Sequence, residues 1–409
     1  MVTTTPPVPS DVPSDVPSDT RGTTTTARPS EPSTGRPTER ATEPSTGRPP
    51  APAGARLHAI DGLRFAAALG VVVYHFTALG STVWGEDPGE RFPVLGRIAL
   101  YFSIGPELFF VVSGFVVLWT AWGRTVPQVV ASRVARVFPA YWTALALTSA
   151  LLLLVWPEGK RISPGEVAVN VTLLQEPLGV RHVDGVYWTL WAELRFYLLV
   201  AVLVAVGVTR RRVIAFATVW PVLAVVVDRL GWDLAGEILI SRYAPFFAGG
   251  MLLFLIHRDG HSRLLWTLVG ATTVLGVLTN TRVKVGELTT ATSFVPDAAG
   301  VALALAACVA LVALVSVTPL RRLHAPRLER LGALTYPLYL VHLMWGWWFI
   351  AQVGHAFPTA VTLVAAVAFT LVLAVGVHAV ERRTNPPARR ALQRALERGA
   401  GRLRSRGAH

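Results

Sequence analysis

A histidine at position 75 stands near the end of the apolar run GLRFAAALGVVVYHF (62–76). A neutral imidazole near pH 7 suits removal of a proton from a hydroxyl. The same ring is also able to act as a nucleophile. Other ionisable residues interrupt similar apolar runs: Arg64, Glu107, Glu193, Arg195, His342 and His378. Such groups are costly inside lipid and mark function by default. At about 1.5 Å of rise per helical residue, His75 lies roughly 20 Å from the start of its run. Glu193 lies about 10 Å from the opposite face, and His342 about 15 Å into its own run. Two imidazoles and a carboxylate are thus expected at nearly one depth, where Glu193 could orient His75. Arg195, two residues from Glu193, faces elsewhere on a helix and needs another partner or a snorkelling position.

The elements that must hold these groups are membrane helices. The 409-residue chain is 52% hydrophobic and 15% charged, against about 25% charged in soluble domains. Ten apolar stretches, each about the length needed to cross a bilayer core, lie near 62–80, 96–121, 138–156, 186–207, 213–228, 238–256, 264–280, 297–317, 332–351 and 358–379. The expected fold is an all-α membrane protein of about ten transmembrane helices, with no visible internal repeat. Residues 1–56 form a Pro/Thr/Ser-rich tail without aromatic, Leu or Ile residues, with EPSTGRP at both 31–37 and 43–49. This composition reads as disorder. Residues 57–382 form the membrane domain and 383–409 a basic tail.

The net charge of +13 comes from 36 Arg and 2 Lys. The arginines cluster in short connections between apolar runs, a positive-inside pattern rather than a nucleic-acid face. Alternate connections carry 12 Lys and Arg against 7, which makes both termini cytoplasmic and the plasma membrane the expected location. Arg64, Arg133 and Arg136 then lie toward the cytoplasm. The lone Cys308 excludes an intrachain disulfide and a cysteine-clustered metal site, and no metal is expected.

Five segments stand out together: DGLRFAAALGVVVYHF (61–76), GPELFFVVSGFVVL (105–118), RVARVFPAYW (133–142), YWTLWAELRFYLL (187–199) and TYPLYLVH (335–342), followed by VER (380–382). In this order and spacing the chain resembles the acyltransferase-3 family over about 57–382. The resemblance implies transfer of an acyl group, commonly acetyl, from a coenzyme A thioester to a hydroxyl. The acceptor class it implies is carbohydrate, or a glycosylated or lipid-like molecule. Two departures stand out. Glu107 occupies a position that is often Asp, and Leu194 and Arg195 replace a second acid, leaving Glu193 as the only carboxylate in that segment.

On this reading His75 and Glu193 are the catalytic pair. Acyl-coenzyme A is anionic, and Arg64, Arg133 and Arg136 are matched to its phosphates, since guanidinium pairs phosphate oxygens two at a time. Ser113 and Gly114 permit close approach of its pantetheine arm, or simply close helix packing. Glu107, Tyr187, Trp188, Trp191 and His342 are expected on the acceptor side, where the aromatics serve as sugar-stacking surfaces or as interface anchors. The rival reading is a transporter or flippase for a lipid-linked or small substrate.

Overall fold

The computed structural model describes residues 57–406. The tail expected to be disordered, 1–56, lies outside the described residues. The described chain is built from helices and contains no strand. Its ten long helices are α1 (His58–Thr77), α2 (Leu95–Ala121), α3 (Val126–Val155), α4 (Gly185–Val206), α5 (Arg210–Arg229), α6 (Ala244–Asp259), α7 (Arg263–Ala291), α8 (Ala298–Val317), α9 (Pro326–Val353) and α10 (Thr359–Arg406). By length and composition, seven of them are able to cross a membrane: α1 to α4, α7, α8 and α10. The other three, α5, α6 and α9, coincide with expected spans but fall short of that standard. Large apolar side chains such as Val202, Leu278, Leu303 and Val364 point outward from the bundle. In water this would be a liability, whereas in lipid it costs nothing.

Local chemistry sets the helix ends. The α3 N-terminus carries a capping box between Thr125 and Gln128. Gly207, at φ +102°, stops α4 in a conformation that disfavours a side chain. Thr209 then caps α5 through the Arg212 N–H. The end of α1 is closed differently. Carbonyls in a last helical turn lack helical partners. Here the Trp347 indole N–H donates to the His75 carbonyl (3.1 Å) and the Trp84 indole N–H to the Phe76 carbonyl (2.8 Å). Two tryptophans thereby hold the turn that carries His75.

Helix α2 is not uniform. Its residues Leu100–Ile104 form a 3-10 turn, and a fresh α-helical segment starts at Gly105 with Pro106 in its first turn. Proline is favoured there because its missing N–H has no helical partner anyway. Glu107 sits in the same turn, where the positive end of the helix dipole favours an acid.

Helix α6, with every residue from Ala244 to Ile256 buried, is packed tightly onto α2. A Cβ on Gly114 would collide with the Phe247 carbonyl, and one on Gly250 with the Val111 carbonyl. Gly114 is thus a packing residue, in contact with a helix backbone rather than open to a ligand. Gly250→Ala is expected to destabilise the protein by about 1–3 kcal/mol, the usual cost of overpacking. The control is Gly376→Ala, whose new methyl meets open space. Thermal unfolding in detergent should show a lower midpoint for the first variant only.

Candidate active site

His75 meets His342. The His342 Nε2 and His75 Nδ1 atoms lie 3.0 Å apart, and His342 is fully buried. The other His342 nitrogen, Nδ1, faces the carbonyls of Leu338 (3.2 Å) and Tyr339 (2.9 Å) in its own helix. Carbonyl oxygens only accept, so Nδ1 of His342 carries the proton. In the neutral ring Nε2 is then a lone pair, and the hydrogen between the two rings must belong to His75 Nδ1. This assignment leaves His75 Nε2 unprotonated. Two backbone carbonyls thus fix the tautomers of both imidazoles.

His75 lines a cavity of about 620 Å³, within the usual range for ligand sites. Its walls come from the end of α1, the start of α4, the 236–243 connection and the end of α7. Ion pairs furnish it. Arg195 pairs with Glu237 at 2.6 Å, Arg242 grips the Glu287 carboxylate with two nitrogens, and Lys284 lies 2.9 Å from Glu107 and 3.6 Å from Glu287. Arg195, expected to need a partner, has one in Glu237. The lining cations Arg195, Arg242 and Lys284 match the lining acids Glu176, Glu237 and Glu287 in number, so the cavity has no strong net charge beyond its histidines.

A second cavity, about 140 Å³, approaches from the opposite end of the helices. Arg64, Arg133, Arg136, Ser113, Glu193 and Tyr197 all line it. Ser113 donates to Glu193 (2.6 Å), and Arg133 donates to Thr120 (2.6 Å) while lying over the Tyr197 ring. Arg136 lies over Tyr336 and pairs with Glu381 of the VER segment, a buried acid on α10. The two cavities share Pro106 and Tyr339 as wall residues.

The four residues expected to meet the donor, Arg64, Arg133, Arg136 and Ser113, therefore converge. The expected pair of His75 and Glu193 does not: Glu193 turns to Ser113 in the smaller cavity, and His342 takes the place beside His75. Depth matching along helices gives no information on which faces meet, which is why the carboxylate looked suitable. The acceptor-side residues scatter. Trp188 lines the larger cavity and packs on Tyr243. Trp191 donates to Glu237 at 2.8 Å beneath Arg195, Tyr187 is buried against Tyr141, and Glu107 is wholly buried against Lys284. His378 stands 3.4 Å from Glu381.

Lys284, Arg242, Glu287 and Tyr339 were missed. The seventh run was expected to end at 280, but α7 continues to Ala291. Its buried residues Thr272, Gly276, Asn280, Lys284 and Leu288 recur every four positions. That helical stripe is visible in the sequence and runs straight through the lysine.

Comparison with protein families supplies the remaining evidence. Residues 57–379 match a family model described as an acyltransferase domain. The chain belongs to the acyltransferase-3 family. Neither curated proteins nor solved structures yield a match. The match covers all five motifs and both cavities, and makes this chain a membrane acyltransferase.

The Glu107–Lys284 pair gives a prediction for the site's integrity. Lys284→Ala leaves a buried carboxylate unpaired and should cost about 3–5 kcal/mol. The double variant Glu107→Gln/Lys284→Met removes both charges and should recover most of that loss, read from thermal unfolding of the purified protein.

Proposed function

We propose that the protein transfers an acetyl group from acetyl-coenzyme A to a hydroxyl of a carbohydrate or glycosylated acceptor, with His75 as the general base. The observation that carries this reading is the 3.0 Å contact from His342 Nε2 to Nδ1 of His75, a lining residue of the larger cavity, from which the unprotonated state of His75 Nε2 is assigned. Donor and acceptor approach from opposite faces. The smaller cavity suits the pantetheine arm of the donor, being narrow and lined by three arginines. The larger suits a neutral polyhydroxyl molecule. Its paired acids and guanidinium groups offer acceptors and donors to hydroxyls, and its balanced charge favours neither anion nor cation. Trp188 and Tyr243 add aromatic faces for a sugar ring.

In the reaction the acceptor oxygen forms a bond to the thioester carbonyl carbon as its proton passes to His75 Nε2. The carbon–sulfur bond breaks, and the departing sulfur takes a proton to leave as the free thiol. His342 keeps Nδ1 of His75 engaged throughout, so the ring cannot turn its basic nitrogen away. The thioester must reach the shared wall at Pro106 and Tyr339 to meet the acceptor. In the membrane we place both termini in the cytoplasm of the cell and count α5, α6 and α9 as spans as well, ten in all. The basic connections and the arginine-lined cavity then face the cytosolic pool of acyl-coenzyme A.

His75→Ala should lower kcat by about 10²–10⁴-fold, the usual worth of a general base. His342→Ala should lower kcat less. The assay is thiol release from acetyl-coenzyme A by purified protein with carbohydrate acceptors. Full activity of His75→Ala at equal folded yield would remove the histidine from the mechanism.

A further inference from the structure

Two side chains belong to both cavities, Pro106 and Tyr339. On the reading above, the thioester meets the acceptor between them. Whatever sets the width of that passage also sets which acyl groups can be presented there. Pro106 is a closed ring that cannot swing aside. Tyr339 has two side-chain torsions, so its effect depends on what holds it.

Tyr339 is held at three points. Its hydroxyl donates to the Val186 carbonyl (3.2 Å) and accepts from the Thr189 hydroxyl (3.2 Å), both at the start of α4. Its ring meets Phe109 of α2 edge-on, with centroids 5.9 Å apart, a favoured aromatic geometry. The His342 ring lies 5.8 Å away on the next turn of α9. Three helices thus hold one buried ring in the wall that the two cavities share. The backbone carbonyl of the same residue accepts from His342 Nδ1, and that carbonyl remains whatever the side chain is.

An acyl group whose carbonyl carbon stands at this partition has few directions for its chain. Behind it is the pantetheine arm. Ahead lie the ion pairs of the larger cavity, Arg195 with Glu237 and Arg242 with Glu287, and the space the acceptor needs. An alkyl chain laid over charged groups strips water from them and returns no hydrogen bond. To the side stands the Tyr339 ring. A methyl group asks little of this space, whereas a longer chain meets a tethered ring.

We infer that Tyr339 is the specificity-determining residue for the acyl group: its ring holds the donor to acetyl size and excludes butyryl and longer chains. This inference rests on the donor reading above. Removal of the ring opens a slot between Phe109, Thr189 and His342 that a longer chain can fill.

The test measures binding of acetyl-, butyryl- and hexanoyl-coenzyme A to the full chain in nanodiscs by calorimetry, with binding to protein-free nanodiscs subtracted. An open apolar channel would tighten binding about fourfold per added methylene. Wild type should show the opposite order, with butyryl-coenzyme A bound at least about tenfold more weakly than acetyl-coenzyme A, as overpacking requires. Tyr339→Ala should reverse that order, so that hexanoyl-coenzyme A binds best. Tyr339→Leu, which fills more of the space and disturbs folding less, should bring butyryl- level with acetyl-coenzyme A. Tyr339→Phe keeps the ring and should keep the wild-type order. Equal or tighter binding of butyryl-coenzyme A by wild type would overturn the inference and leave the donor reading standing. The wild-type order surviving in both Tyr339→Ala and Tyr339→Leu would do the same. So would its complete loss in Tyr339→Phe, which would assign the effect to the hydroxyl rather than the ring. If wild type binds none of the three thioesters, the donor reading falls and this inference with it.

Discussion

The hydrogen bond between His75 and His342 is the constraint on which the site depends. It joins α1 to α9, and its direction is dictated from outside the pair by two backbone carbonyls of α9. Supporting contacts surround it. Trp347 and Trp84 close the last turn of α1. Asp184, buried ahead of α4, accepts from the Val186 N–H at 3.1 Å and lies 3.4 Å from the Met344 N–H, two residues beyond His342. Burial pushes the Asp184 carboxyl up to about 6, against the pull of those N–H groups and of Lys160. One connection is thereby fastened to the helix turn that carries the second histidine.

Charge inside the bundle is handled in two ways. Around the larger cavity each cation has an acid: Arg195 with Glu237, Arg242 with Glu287, and the buried Lys284 with the buried Glu107. Breaking the buried Lys284–Glu107 pair is costly in low dielectric, so it fixes that wall. The half-exposed Glu237 and Glu287 leave the other two pairs screened by solvent. Around the smaller cavity compensation is incomplete. Arg133 has only a hydroxyl and an aromatic face, while Arg136 is matched by Glu381. The first arrangement leaves a chamber whose lining cations and acids are balanced, and the second leaves arginine charge only partly compensated. His75 lines the former, and Arg64, Arg133 and Arg136 line the latter. Pro106 and Tyr339, present in both linings, form the partition where the two substrates would meet.

Much of this was legible in the sequence because it rests on local signals. The apolar runs marked where helices lie, and every expected span coincides with a helix. The arginines at 64, 133 and 136, with Ser113, were identified as one group from their motifs, and they share one cavity. What was not legible depends on helix rotation. Glu193 has a plausible depth for His75, yet its face of α4 turns toward Ser113. His342 was expected to touch substrate and instead holds the other histidine. Lys284 was assigned to a loop because hydropathy falls after residue 280. Its four-residue stripe with Thr272, Gly276 and Asn280 was the better guide, since helical periodicity survives a polar residue where a hydropathy window does not.

The central claim is that His342 sets the tautomer of His75, with its proton on Nδ1 and a free lone pair on Nε2. Solid-state NMR of protein labelled with 15N-histidine in lipid bilayers reads this directly, with His75→Gln used to assign the signals. At neutral pH the His75 ring should show a protonated Nδ1 and an unprotonated Nε2, and His342→Ala should release that preference. A His75 ring protonated on Nε2 alone, or on both nitrogens, would contradict the account.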